Sequence, residues 1–235
     1  MDMKNIFKTQ ITIILLFIGS IAFAQNSETR DLDKFSELKV SEGIEVVAKK
    51  GNENSVEIAV SRTDIDRIVT EVRGDRLSIY VKRNSWSSRN QSGKIRVTLI
   101  YTEEINEIIA NTSAEVIFED MIKTRSLSIT TSTSGAVEAK VQVERLDLSA
   151  TTSGRIEMTG DAEEVEATAS TGATIYAYDV ESMEVYAKAN TGADVRVNAQ
   201  DRLKATANTG GTVSYRGKPK TDVRSSTGGS VRRAR

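Results

Sequence analysis

Histidine and cysteine are both absent from the 235 residues. Ser-His and Cys-His nucleophile systems are therefore excluded, along with the commonest zinc ligand and any disulfide framework. Carboxylate chemistry remains open. Glu138, Glu157, Asp179 and Asp194 fall on or near the outward positions of an alternating pattern, and two close carboxylates suffice for glycan cleavage. Their setting reads as a solvated outer face, and the connectors around them are too short to wall a cleft. Calcium-binding β-helix repeats need a carboxylate in every copy. Only Thr191-Gly192-Ala193-Asp194 offers one; Ala136, Arg155, Thr174, Thr212 and Ser230 stand at the equivalent places. No catalytic residue, cofactor or metal site is predicted.

Aromatic residues give the best indication of a ligand. By alternation Tyr176 and Tyr178 point outward, and Tyr186 points outward on the strand that follows. Trp86, the only tryptophan, lies in a polar loop over 84–93. Trp86, Tyr176, Tyr178 and Tyr186 are the candidate ligand-binding residues, since a ring with a polar tip can stack on a sugar. Strands also favour tyrosine for packing alone. Arg216, Lys218, Lys220, Arg224, Arg232, Arg233 and Arg235 concentrate positive charge near one end. Such charge suits an open sheet edge that must deter strand addition; an anionic envelope polymer is the other reading.

These residues hang on a repeat. A box of Asn/Ser/Thr, Thr, Ser/Gly, Ala/Gly, any residue, Val/Ile recurs from Asn111–Val116 to Ser226–Val231. Its closing residues are Val116, Val137, Ile156, Ile175, Val195, Val213 and Val231, spaced by 18 to 21 positions. Apolar or small residues alternate on both sides of each box, as in Leu146, Leu148, Ala150 before Thr152 and Ile156, Met158 after it. Period-two alternation marks strands. A period near twenty marks a solenoid whose neighbouring coils bury each other's inner face. The sequence thus predicts an all-β, right-handed parallel β-helix of about 18–21 residues per coil, the hand following the rule for parallel crossovers. Rungs ~4.8 Å apart make six steps roughly 29 Å tall.

Small inward residues predict a narrow bore. The Ser/Gly and Ala/Gly pair is expected to form a corner, with segments such as 160–164 and 179–182 as connectors. Unbroken alternation places each box Thr inward and the preceding Asn/Ser outward, both stacking in ladders; a bend at the corner would exchange them.

Residues 1–24 read as a secretory signal peptide: Lys4 and Lys8, the apolar run Ile11–Ile21, then Ala22-Phe23-Ala24. The run is too short to span a bilayer, and no later segment is apolar enough to do so. Residues 25–104 read as an irregular β region that caps or starts the helix, and 105–235 as the repeated coils. A formal net charge of −1 argues against nucleic acid as a partner.

The segment Phe35-x-x-Leu38-x-Val40-Ser41-x-Gly43-Ile44-x-Val46, the Ser/Thr-Gly boxes and Tyr215-x-Gly217-x-Pro219 resemble a family of secreted proteins, the putative auto-transporter adhesin head GIN domain. The resemblance spans about Leu32 to Val231. It implies a parallel β-helix exported to the cell envelope and carries over no catalytic residue. The expected role is adhesin-like or scaffolding, through outer faces that contact glycans or envelope and extracellular proteins. A glycan-processing enzyme and a periplasmic ligand sensor are the alternatives; the first requires a groove with two close carboxylates, the second one deep pocket.

Overall fold

Alternating sequence becomes alternating burial along every long strand, as in the buried Val137, Ala139, Val141 and Val143 with exposed residues between them. The computed structural model describes residues 26–82 and 93–234. Its strands are β1 (Asn26–Asp31), β2 (Glu37–Val40), β3 (Ile44–Lys50), β4 (Ser55–Val60), β5 (Ile68–Arg73), β6 (Arg76–Val81), β7 (Ile95–Tyr101), β8 (Glu107–Asn111) and β9 (Glu115–Phe118). They continue as β10 (Ile122–Ser132), β11 (Ala136–Ala150), β12 (Arg155–Ala169), β13 (Thr174–Ala189), β14 (Asp194–Asn208), β15 (Thr212–Arg216), β16 (Lys220–Ser226) and β17 (Ser230–Arg233). The signal-peptide reading and Trp86 lie outside the described residues.

From β8 onward each strand pairs in parallel with its counterpart one repeat later, giving a β-solenoid. The closing residues form one column: Val116, Val137, Ile156, Ile175, Val195, Val213 and Val231 are successive register partners. Burying such a residue stabilises by about 1.5–3 kcal/mol.

The turn between strands differs from the expected corner. Its positive-φ residues are the Thr and the one after it: Thr112 and Ser113, Thr133 and Ser134, Thr152 and Ser153, Thr171 and Gly172, Thr191 and Gly192, Thr209 and Gly210, Thr227 and Gly228. An i→i+3 bond closes each turn, from Ala114 N–H to Asn111 O at 3.1 Å through to Gly229 N–H to Ser226 O at 2.9 Å. Two left-handed residues and that bond are the pattern of a type I′ turn. The turn resets the alternation, so every box Thr is exposed, contrary to the inward expectation, and the fourth box residue is the one turned to the core.

Threonine in this conformation costs about 1–2 kcal/mol. A backbone ladder offsets it: the residue after each Thr donates to the Thr carbonyl one rung on, at 2.9–3.1 Å from Ser113→Thr133 to Gly210→Thr227. Three neighbouring pairs of the residues before the Thr stack through their side chains. Ser132 Oγ donates to Asn111 Oδ1, Asn208 Nδ2 to Asn190 Oδ1, and Ser226 Oγ to Asn208 Oδ1, at 2.8–3.0 Å.

The expected connectors are strand instead. β12 and β13 run unbroken through 160–164 and 179–182, bending where inward residues fall three apart: Ala162 to Val165, Ala177 to Val180, Ser182 to Val185. Each coil therefore has a first side after the turn, a short second side, and a third side leading to the next turn.

The N-terminal rungs are stacked out of chain order. β2 and β3 pair in parallel with β8 and β9 on one side and with β6 and β7 on the other. The column thus begins Val97, Val46, Val116. β4 lies antiparallel to β7, β1 antiparallel to β4, and β5 antiparallel to β6. Bulky side chains crowd this region, among them Leu38, Ile44, Leu77 and Leu99, whereas past Ala162 the fully buried residues are mostly alanine and valine, with Ile175 and Leu203 among them.

Candidate functional site

The residue after each closing Val/Ile is held outward on the first side by the same pleat that turns the closing residue inward. Register aligns these positions as Glu138, Glu157, Tyr176, Arg196, Ser214 and Arg232. Arg155 joins the column from the edge of its rung. Its guanidinium lies over the Tyr176 ring at 4.7 Å from the centroid, and that of Arg196 lies over the same ring at 4.7 Å. Tyr176 is thus sandwiched between arginines from the rung before and the rung after. Arg216 covers Tyr178 at 4.3 Å. Such cation–ring contacts are worth ~0.5–1 kcal/mol at exposed sites.

Carboxylates tie three of the arginines down. Arg155 donates to Glu157 at 2.8 Å, Arg196 to Asp194 at 2.8 Å and Arg216 to Asp179 at 3.2 Å. The bonds from Arg155 to Glu157 and from Arg196 to Asp194 push both guanidinium pKa values further up. Arg232 instead donates through Nε to Ser214 Oγ at 3.2 Å. Ser214 is only 4% exposed although its strand position faces outward. An open groove of about 440 Å³ runs past it, lined by Tyr178, Arg196, Ser214, Arg232, Arg233 and Ala234.

The structure therefore brings Tyr176 and Tyr178 into one arginine-rich patch. Tyr186 lies past the bends on the third side, half-buried between its register partners Glu166 and Lys204. Of the carboxylates, Glu138 and Glu157 are register partners one rung apart and line a groove of about 430 Å³ with Glu119 and Lys140. Glu157 is already engaged by Arg155. Asp194 of the calcium-like box binds Arg196, and among the described residues no group of three His, Cys, Asp or Glu could hold a metal ion. A further groove of about 490 Å³ at the second bend is rimmed by Glu144, Asp161, Glu163 and Glu181, with Met183 54% exposed on it.

Arg216, Arg232 and Arg233 stand out in the sequence as part of the basic end, but Arg155 and Arg196 do not, because each sits in a different local context. Reading down the position after each closing Val/Ile isolates Tyr176, Arg196, Ser214 and Arg232 directly. That column is the sequence signal.

The repeat, the stacked turns and the first-side patch can be set beside known proteins. The family model described as putative auto-transporter adhesin, head GIN domain, matches residues 34–219. The chain belongs to this family. Several solved structures share the fold. A putative adhesin from Bacteroides fragilis NCTC 9343 has 16% identity and a TM-score of 0.80, covering 91% of this chain and 98% of that chain. A putative adhesin from Parabacteroides merdae ATCC 43184 has 19% identity and a TM-score of 0.73, covering 90% and 96%. A protein from Parabacteroides distasonis ATCC 8503 described as a putative lipid binding protein has 18% identity and a TM-score of 0.71, covering 90% and 97%. At these identities the likeness shows the fold alone. Comparison with curated proteins gives no match.

Proposed function

We propose that this head GIN protein is exported and acts as a non-catalytic, adhesin-like binding module that contacts glycans or other envelope and extracellular components through its outer faces. The observation that carries this reading is the first-side patch, in which Tyr176 and Tyr178 are fixed among Arg155, Arg196 and Arg216 on stacked strands. A solenoid presents such side chains as an extended, rigid surface, which suits an extended ligand. The Glu138–Glu157 pair supports catalysis less well, since Glu157 is already bonded to Arg155.

A glycan array tests the reading, with liposomes included because one structural neighbour is described as lipid binding. The wild-type chain should retain a defined set of glycans, and Tyr178→Ala or Tyr176→Ala should weaken them several-fold. Tyr186→Ala reports on the third side separately. An empty array, or glycan binding indifferent to all three changes, contradicts the role given to the aromatic residues.

A further inference from the structure

Along the first side, Arg155, Tyr176 and Arg196 occupy three successive rungs, and Arg196, Ser214 and Arg232 occupy the next three, sharing Arg196. The second triplet is in register throughout, whereas in the first Arg155 stands two positions before Glu157, the register partner of Tyr176. In the first, a six-membered ring fills the space between two guanidinium groups, 4.7 Å from each. In the second, Ser214 holds the ring's register position, bonded by Arg232 Nε, and lines the groove of about 440 Å³. The second triplet therefore presents arginine side chains to a groove without a column tyrosine at the middle rung.

Charge separates the two slots. Arg155 and Arg196 are each held by a carboxylate, Glu157 and Asp194. Arg232 binds only the Ser214 hydroxyl among the contacts seen, and Arg233 lines the same groove, which has no carboxylate among its lining residues. A neutral ring suffices where the arginines are already neutralised. A negative charge is what the second groove lacks.

We propose that the Ser214 slot binds a uronic acid residue of an acidic polysaccharide, its pyranose ring lying between Arg196 and Arg232 and its carboxylate paired with Arg232 or Arg233. Arginines two rungs apart are separated by roughly 9.6 Å along the axis, about the length of a disaccharide, so a chain running along the first side meets Arg155, Arg196 and Arg232 at regular intervals. This inference rests on the glycan-binding reading above and gives it a ligand class and an address.

Calorimetric titration of the full chain with polygalacturonate, neutral dextran and phosphatidylglycerol vesicles tests it. The wild-type protein should bind polygalacturonate and leave dextran unbound. Ser214→Tyr copies into the slot the arrangement seen at Tyr176, and should weaken polygalacturonate binding by about tenfold or more with no loss of melting temperature. Arg232→Gln should weaken it by about tenfold, and it decides alone if Ser214→Tyr fails to fold. Arg125→Gln removes an exposed arginine paired with Glu144, and should leave binding unchanged. The assignment is overturned if polygalacturonate is not bound, if Ser214→Tyr and Arg232→Gln bind like wild type, if Arg125→Gln loses as much, or if vesicles are preferred. Failure with polygalacturonate while the array returns a neutral glycan sinks this slot only; failure of every glycan sinks the broader reading as well.

Discussion

Up to Leu146 the interior of the solenoid is filled by residues such as Leu38, Ile44, Leu77, Leu99 and Phe118; from Ala162 onward it is filled largely by alanine, from Ala167 and Ala169 to Ala205 and Ala207. The two regions also connect differently. In the later rungs each coil lies on the coil before it in the chain. In the early rungs β2 and β3 lie between β6–β7 and β8–β9, with β1, β4 and β5 running antiparallel at that end. Pairing between distant segments must overcome a larger loop-closure entropy before contacts reward it. Large apolar side chains supply that reward. Adjacent repeats need less, because the turn ladder repeats at every step and aligns one coil on the next.

The largest effect should come from emptying the early core. Leu77→Ala deletes a fully buried side chain and should cost about 4 kcal/mol in denaturant-monitored stability. An effect under about 1 kcal/mol would show that the early core is not what holds the out-of-order rungs. In the later region backbone fit replaces bulk. Gly160 has φ +116°, and a Cβ there would overlap the Val141 carbonyl oxygen of the rung beneath. Gly160→Ala should cost about 3 kcal/mol by the same measurement, although it removes no atom from the core.

A smaller effect of opposite sign is expected in the turns. Thr191, at φ +49° before Gly192, pays for β-branching in a left-handed position. Thr191→Asn makes the Asn-Gly pair that type I′ turns favour, and should raise stability by about 1 kcal/mol. A fall would mean that the exposed threonine makes contacts worth more than its strain.

The early region should show an alkaline weakness. Burial, aided by the charge of Asp120, pushes the Tyr101 phenol up to about 12, and its ring packs edge-on to Phe118 at 5.6 Å. The neutral phenol is favoured in the folded state, so its stabilising contribution is complete below pH 10 and is lost as pH rises through 12. Difference absorbance of wild type against Tyr101→Phe should place this tyrosine's ionisation in that window, and Tyr101→Phe should blunt the accompanying loss of stability.

Sequence reasoning did well where the chain repeats itself. The closing Val/Ile residues name their own partners, and their column exists as the spacing implies. It did less well at the turn, because two consecutive left-handed residues, the first a threonine, run against the steric preference of β-branched side chains; the ladder of Thr carbonyls that tolerates them appears only once coils are stacked. The order of the early rungs was hidden for another reason. Ser41-Glu42-Gly43 does form the same turn, with Glu42 at φ 68° and Gly43 at φ 70°, yet nothing local says that its neighbour is Thr112, seventy residues on. Tyr176 and Tyr178 were visible as outward rings, but their meaning depends on Arg155, Arg196 and Arg216, which only register brings to them.

Turn residues at equivalent positions should form one straight exposed line, out-of-order rung included. Since the chain has no cysteine, paired substitutions can measure this without background. Neighbouring turn positions lie one rung apart, ~4.8 Å, within the reach of a disulfide. The Glu42→Cys/Thr112→Cys pair should close under mild oxidation as completely as Thr152→Cys/Thr171→Cys. If the second pair closes while the first stays reduced, the early rungs are not stacked as described.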